Sequence, residues 1–440
     1  MSMNLENLTK DIADELIREG IVAAISNTLL PAAVEKAYPG HFTVTADGSY
    51  FGAENTWPGL DSWEMAGAYL LMGQSRLVLD YFDFVQASQR TDGNIPFAIF
   101  PAEPPPDSSR HLRGMRYPDD VYTYAPVPRE GQREFSNMDP RKWIGLFDHY
   151  QLRANPFSVL GPISYILTAW EIARFMQSHE WIAQKLGSVE LAGRYLLSRR
   201  SGNGLISGAG FYLERPPRNQ WDGITQCYTC RALRMLAEMN ASLGRLEASD
   251  YWAGEADAIA NVFRDVFWRV DHFAEYVHPD HGLVDLHGLT DVNWAAVALD
   301  VATEQQARAL WPLMLAEESF WFGGMPTQLV SKPYAYQDWE LGEPLPFVDS
   351  KGPLYDVSAM GRVWYLEALA CLKMGELERV RESVRQVCLM GKRHGWLWHE
   401  RYLPMQTKDV FPAGPRGYCE YAAILVRIVL GNPDVFKERG

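Results

Sequence analysis

Apolar residues recur at three- and four-residue intervals through most of the chain, and strict alternation is scarce, so the pattern predicts helices. The helical stretches come in pairs joined by short Gly-rich or polar turns. The pairs are 62–73 with 75–90, 158–177 with 179–199, 223–241 with 246–268, 291–301 with 303–316, and 355–373 with 375–391. One more helix is predicted at each end, over 5–28 and 416–431. Packed together, these two would make a sixth hairpin and close a ring. The expected fold is therefore all-α, an (α/α)6 barrel with inner helices surrounded by outer ones. No linker interrupts the pattern, so residues 1–440 read as one domain with a long Pro-rich insertion at about 91–157.

Four connections are too long to be mere turns: 91–157, 269–290, 317–354 and 392–415. Long loops on a rigid scaffold are where sites are built. These contain many aromatic and charged residues, which favours function over simple linkage.

Composition narrows the class. Hydrophobic residues make up 47% of the 440, ordinary for a globular protein. No run of about eighteen apolar residues occurs, so a membrane-spanning helix is not expected. The amino terminus is acidic and amphipathic and lacks the features of a secretory signal, so a cytoplasmic location is expected. There are 41 basic against 55 acidic residues, a net charge of −14, which argues against nucleic acid and anionic lipid as partners. Cys227, Cys230, Cys371, Cys388 and Cys419 form no disulfide framework, and the Cys227–Cys230 spacing reads as structural thiols within a helix. The excess that matters is aromatic: 15 Trp and 21 Tyr. Flat rings stack on sugar faces, and acidic side chains bind hydroxyls, so the balance leans towards a small carbohydrate. Large helical cores also use Trp, and composition does not separate the two.

The motifs add a resemblance. TWPGLDSWEMAGAYLLMG, then FVQASQRTDGNIPFAIF, RNQWDGI, LTDVNWAAVALDVATEQQA, GGMPTQ, LYDVSAMGRVWYLEAL and WHERYLP follow one another over roughly 55–430. In order and spacing they resemble glycoside hydrolase family 63 and its clan, including small bacterial members that hydrolyse mannosylglycerate or glucosylglycerate. The resemblance implies an inverting α-glycosidase acting on a small glycoside. Two motifs depart from the family. Its Glu-Ser-Gly-x-Asp-Asn-Ser-Pro context reads LERPPRNQWDGI here, so that, aligned from Glu214, Arg218 takes the Asp position. Its Trp-Arg-Gly-Pro-x-Trp motif reads SAMGRVW, with Arg362 displaced.

Inverting glycoside hydrolysis needs two carboxyl groups about 6.5–9.5 Å apart, one protonated and one ionised. Asp222 is the favoured acid, beside Trp221 at the start of a predicted inner helix, where aromatic surroundings would raise its pKa. An Asp there is equally a preferred N-cap. Glu214 is the alternative acid, with Arg218 then available to bind a substrate carboxylate or hydroxyl. Glu400, between Trp398 and Tyr402, is the favoured base and matches a Glu-Asn-Tyr-Asp-Pro-like family motif. It could equally form a loop salt bridge with Arg401. Glu420 in the last helix is the alternative base, since a core-facing Glu needs a role or a partner.

The resemblance also implies that Asp61 holds sugar hydroxyls, with Trp57 and Trp63 as flanking rings and Gln89, Asp92 and Asn94 as further contacts. The Asp-Gly-Asn run is also a turn signal. Asp291 and Trp294 begin another inner helix, where Thr290 or Asp291 can cap. Arg362, Trp364, Trp398 and Tyr402 complete the expected substrate-binding set. In the insertion, Arg110, Arg113 and Arg116 read either as a carboxylate site or as a solvated loop. No metal motif such as HxxEH is present, and neither metal nor cofactor is called for. His149, His287 and His399 have no evident Ser or Cys partner for a triad. A sugar epimerase, a uronate lyase or a non-catalytic sugar-binding protein on the same toroid stays open, because fold does not fix chemistry. Oligomeric state is likewise open, and a homo-oligomer is compatible.

Overall fold

The computed structural model describes residues 5–35, 39–46, 56–95, 98–100, 122–124, 159–207, 221–321, 323–332, 358–404 and 410–437. Among these residues, twelve principal helices carry the architecture. They are α1 (Glu15–Ala23), α2 (Leu60–Leu71), α3 (Ser75–Ala87), α4 (Leu160–Met176), α5 (His179–Ser198) and α6 (Gly223–Ser242). The rest are α7 (Leu246–Phe267), α8 (Asp291–Ala298), α9 (Glu304–Ala316), α10 (Gly361–Met374), α11 (Leu377–Arg393) and α12 (Cys419–Gly431).

The even-numbered helices form the inner ring. α12 packs on α2, α2 on α4, α4 on α6, α6 on α8, α8 on α10, and α10 returns to α12. Each odd-numbered helix lies outside its inner partner, and the amino-terminal segment of α1 and the turn after it covers α12. The two ends of the chain thus supply the sixth hairpin, and the fold is the expected (α/α)6 toroid. Among the described residues, no helix is long and apolar enough to cross a membrane.

Residue patterning explains the two layers. Cys419 through Val429 of α12 are all buried, as befits a helix that is apolar all round except at Glu420 and Arg427. Outer α7 buries only Trp252, Ala256, Ile259, Ala260, Phe263 and Phe267, a single stripe at helical spacing. Several predicted boundaries shift for local reasons. The expected helix over 5–28 is interrupted because Asp14 caps a new start, accepting from Leu16 N at 2.9 Å and Ile17 N at 3.3 Å. A π-helical turn then spans Ala24–Leu29. α10 begins at Gly361 because Ala359–Met360 is drawn into a strand.

The short strands were not expected. β1 (Ala98–Phe100) and β2 (Tyr122–Tyr124) pair in parallel. β3 (Trp221–Asp222), β4 (Tyr276–His278) and β5 (Gly282–Val284) form one antiparallel sheet. β6 (Ala359–Met360), β7 (His399–Pro404) and β8 (Val410–Arg416) form another. Both three-stranded sheets lead directly into an inner helix.

Connections from an inner helix to its outer partner are short: 72–74, 177–178, 243–245, 299–303 and 375–376. Those from an outer helix to the next inner one are long, including 199–222, 268–290 and 394–418. Because each hairpin turns back on itself, all inner helices run the same way. Their amino termini, with the long connections, share one rim. Asp61, Asp222, Asp291, Arg362 and Glu420 all lie within the first two residues of an inner helix or at its cap, and so are gathered at that rim. Most of the 91–157 insertion, much of 317–354, and Glu214, Arg218, Arg110, Arg113, Arg116 and His149 lie outside the described residues.

Candidate active site

The rim is organised around Arg362. Its guanidinium donates from Nη2 to Asp61 Oδ1 at 2.5 Å and to Glu420 Oε2 at 3.1 Å. Its backbone N–H donates to Glu420 Oε1 at 2.5 Å. That N–H belongs to the first turn of α10, where no helical acceptor exists, and Met360 at the N-cap offers no side-chain bond. Glu420 therefore caps the neighbouring helix and pairs with its Arg at once. Gly361 makes the approach feasible, since a Cβ there would lie 2.9 Å from Glu420 Cγ and 3.1 Å from Tyr421 N.

Tyr418 donates its hydroxyl to Asp61 Oδ1 at 3.2 Å. The Tyr418 hydroxyl also feels the negative charge of Glu400, which places Glu400 on the same side of the mouth. Glu400 lies on β7 and is bonded to Arg401. Gly414 on β8, at φ +74°, leaves room for it: a Cβ there would meet Glu400 Oε2 at 2.3 Å. Glu64 stands one turn below Asp61 on the same face of α2. Single carboxylate oxygens of Asp61, Glu64 and Glu420 lie within 4.8 Å of one another. Among the described residues this is the only group of acidic, His or Cys ligands so closely gathered, and the Arg362 cation already stands among them. Burial pushes the Glu420 carboxyl up to about 7, against the pull of Arg362.

Below this layer the barrel is plugged. Trp63 donates from Nε1 to Glu171 Oε1 at 2.7 Å, while the Arg427 guanidinium lies 4.7 Å from the Trp63 ring and bonds Glu171 at 3.0 Å. Tyr228 meets the Trp63 ring edge-on at 6.1 Å, and Tyr365 lies tilted at 5.9 Å. Trp63 is thus part of a floor rather than an open platform. Trp57 precedes α2 at the rim and is 8% exposed.

Asp222 lies on α6, three steps around the six-helix ring from α12, and so across the mouth from Glu420. It is buried and caps α6, accepting from Thr225 N at 2.7 Å. The capping reading is therefore present in the molecule. Trp221 beside it is half-buried and donates to Ser201 Oγ at 3.0 Å. Asp291 is buried in the first turn of α8, where Thr290 is the cap.

Other expected contacts sit elsewhere. Trp294 is wholly buried, edge-on to Trp311 at 5.9 Å and near Phe320. Trp364 donates to Ser383 Oγ at 3.0 Å and stacks on Tyr421, filling the space between α10 and α11. Trp398 donates to the Val387 carbonyl at 2.9 Å and lies against Gly391. These three rings are core, because their faces are occupied by protein. Tyr402 is also buried, and its hydroxyl accepts from His399 N at 3.1 Å. Gln89 is a strut between α3 and α5, donating to the carbonyls of Gly93 and Ser188 at 3.1 and 2.9 Å. Asp92 is exposed and accepts from Asn94 N at 2.9 Å, the turn that the sequence signalled. Asn94 itself is buried. His287 is buried against Glu275, and the five cysteines are buried free thiols.

Sequence reasoning missed Glu64, Glu171, Tyr418 and Arg427. Three of them carried a signal. Glu64 follows Asp61 by three residues, hence shares its helix face. Glu171 and Arg427 are lone charges in otherwise apolar helical runs, where a buried charge needs a partner.

Comparison with solved structures fits this architecture. A family 78 rhamnosidase of Bacillus sp. GL1 superposes with a TM-score of 0.60 at 14% identity, over 96% of this chain and 35% of that one. A family 63 mannosylglycerate hydrolase from Thermus thermophilus, solved with glucose, superposes with a TM-score of 0.58 at 12% identity. It is covered over 99% of its length by 93% of this chain, whereas the chain spans about a third of the rhamnosidase. The chain has the six-hairpin glycosidase fold. No protein-family model matches the sequence, and no curated protein matches it.

Proposed function

We propose that this six-hairpin chain is a glycoside hydrolase that cleaves a small α-glycoside with inversion, with Asp222 as general acid and Glu400 as general base. The observation that carries the reading is the convergence of Glu400, Tyr418, Asp61, Arg362 and Glu420 at the mouth, with Asp222 across the ring. Asp61 and Glu420, braced by Arg362, are suited to accept hydrogen bonds from sugar hydroxyls. The acid protonates the leaving oxygen, and the base takes a proton from water attacking the opposite face of the ring. Both roles are met by carboxyl groups of the chain itself. Glucosylglycerate, mannosylglycerate and short α-glucosides are the substrates to try, on the motif order and on the fold shared with the Thermus hydrolase.

A proton NMR time course on the anomeric signals tests the proposal. Initial release of the β-sugar from an α-glycoside supports inverting hydrolysis. Initial release of the α-anomer overturns inversion, and no change in any of these substrates overturns the hydrolase reading for them.

A further inference from the structure

We propose that Glu64 is a positioning residue that holds a resident proton at neutral pH, and that its neutrality keeps Arg362 stretched between Asp61 and Glu420 at the barrel mouth.

Asp61, Glu64 and Glu420 are gathered around one guanidinium, that of Arg362. The groups that face Glu64 are Arg362 and Tyr365 from α10, Glu420 and Arg427 from α12, Asp61 from its own helix, and Tyr228 from α6. Arg427 does not redress the balance, because Glu171 on α4 already neutralises it, and the Tyr365 hydroxyl also leans on it. Three ionised carboxylates would therefore leave two uncompensated charges, and an uncompensated buried charge is strongly disfavoured. One proton in the group removes much of that cost.

Hydrogen bonding decides which group carries it. Asp61 accepts from Arg362 and Tyr418, and Glu420 accepts twice from Arg362. Glu64 is fully buried, and neither of its oxygens accepts a hydrogen bond among the described residues. Donors favour the charged form, so the carboxyl without them keeps the proton. Burial also raises the Glu64 carboxyl well above the ordinary carboxylate range, in line with its lack of hydrogen-bond donors.

The consequence concerns Arg362. Glu64 stands one turn deeper than Asp61, so an ionised Glu64 would compete for the guanidinium and draw it down from the mouth. A neutral Glu64 leaves Asp61 and Glu420 as its partners.

Infrared spectroscopy of the full-length chain at about pH 8 is the first test. Ordinary carboxyl groups are ionised there, so a protonated carboxylic acid carbonyl band should remain in the wild type and vanish in Glu64→Gln. Absence of the band in the wild type overturns the proposal, whether or not the variant folds, and so does its persistence in Glu64→Gln. This measurement needs no substrate and is independent of the hydrolase reading. The second test rests on that reading and uses glucosylglycerate and mannosylglycerate. Wild-type KM should rise about tenfold as pH passes the ionisation of Glu64, by loss of charge-assisted bonds from Arg362. In Glu64→Gln, neutral at every pH, that alkaline rise should be absent. Identical KM profiles with an intact wild-type band would overturn the positioning role.

Discussion

Arg362 and Glu420 are joined twice, backbone N–H to Oε1 at 2.5 Å and guanidinium to Oε2 at 3.1 Å. One Glu therefore fixes both the start of α10 and the direction of its Arg. The arrangement ties the last inner helix to the one before it, and orients the cation that braces Asp61 on the first.

Removing that cation should destabilise the fold. Arg362→Met leaves Asp61 and Glu420 close together without their shared partner, and breaking a buried pair in this way costs about 3–5 kcal/mol. Urea unfolding should show the midpoint falling accordingly. A variant as stable as the wild type would mean that the bridge contributes nothing net.

Asp222 has two separable duties. Asn caps helices as well as Asp does, so Asp222→Asn should keep stability within about 0.5 kcal/mol, while Asp222→Ala loses about 1 kcal/mol. As general acid, the Asn variant should still lose about a hundredfold or more in kcat with little change in KM. Full activity in Asp222→Asn would leave the residue as a cap alone.

Stability should also depend on pH through Glu420, whose carboxyl is raised to about 7 by burial. A raised carboxyl means that the folded state holds the proton more tightly than the unfolded one. Its contribution is complete below about pH 4.3, the ordinary range for Glu. It declines as pH climbs through about 7. Thermal midpoints from pH 5 to 8 should therefore fall less steeply in Glu420→Gln than in the wild type. Parallel curves would remove Glu420 as a source of the dependence.

The buried rings should separate packing from binding. Trp398→Ala empties a site filled against α11 and should cost about 3–5 kcal/mol. Trp364→Phe loses the bond to Ser383 and should cost about 1–2 kcal/mol. Substrate KM should stay near the wild-type value in Trp364→Phe. A tenfold rise in KM there, without loss of stability, would return that ring to the sugar.

Gly414→Ala tests the seat of Glu400. The left-handed backbone at φ +74° and the 2.3 Å approach to Glu400 Oε2 both oppose a methyl group. Loss of kcat with a small change in thermal midpoint is expected, and wild-type kinetics would count against Glu400 as base.

The sequence by itself determined the ring. Helical periodicity in α7 and the largely apolar run of α12 are local properties, so hairpin pairing and element order could be read from residue spacing. It also drew attention to Asp61, Glu400, Arg362 and Glu420, through the motifs that contain them and through the need of a core-facing charge for a partner. Only the tertiary structure decided which of the many Trp side chains have free faces. Trp364 and Trp398 look the same in sequence as a sugar platform, but burial depends on which helix lies opposite. The same holds for Glu64, Tyr418 and Arg427. The groups around them come from other helices, distant in sequence and adjacent only once the ring has closed.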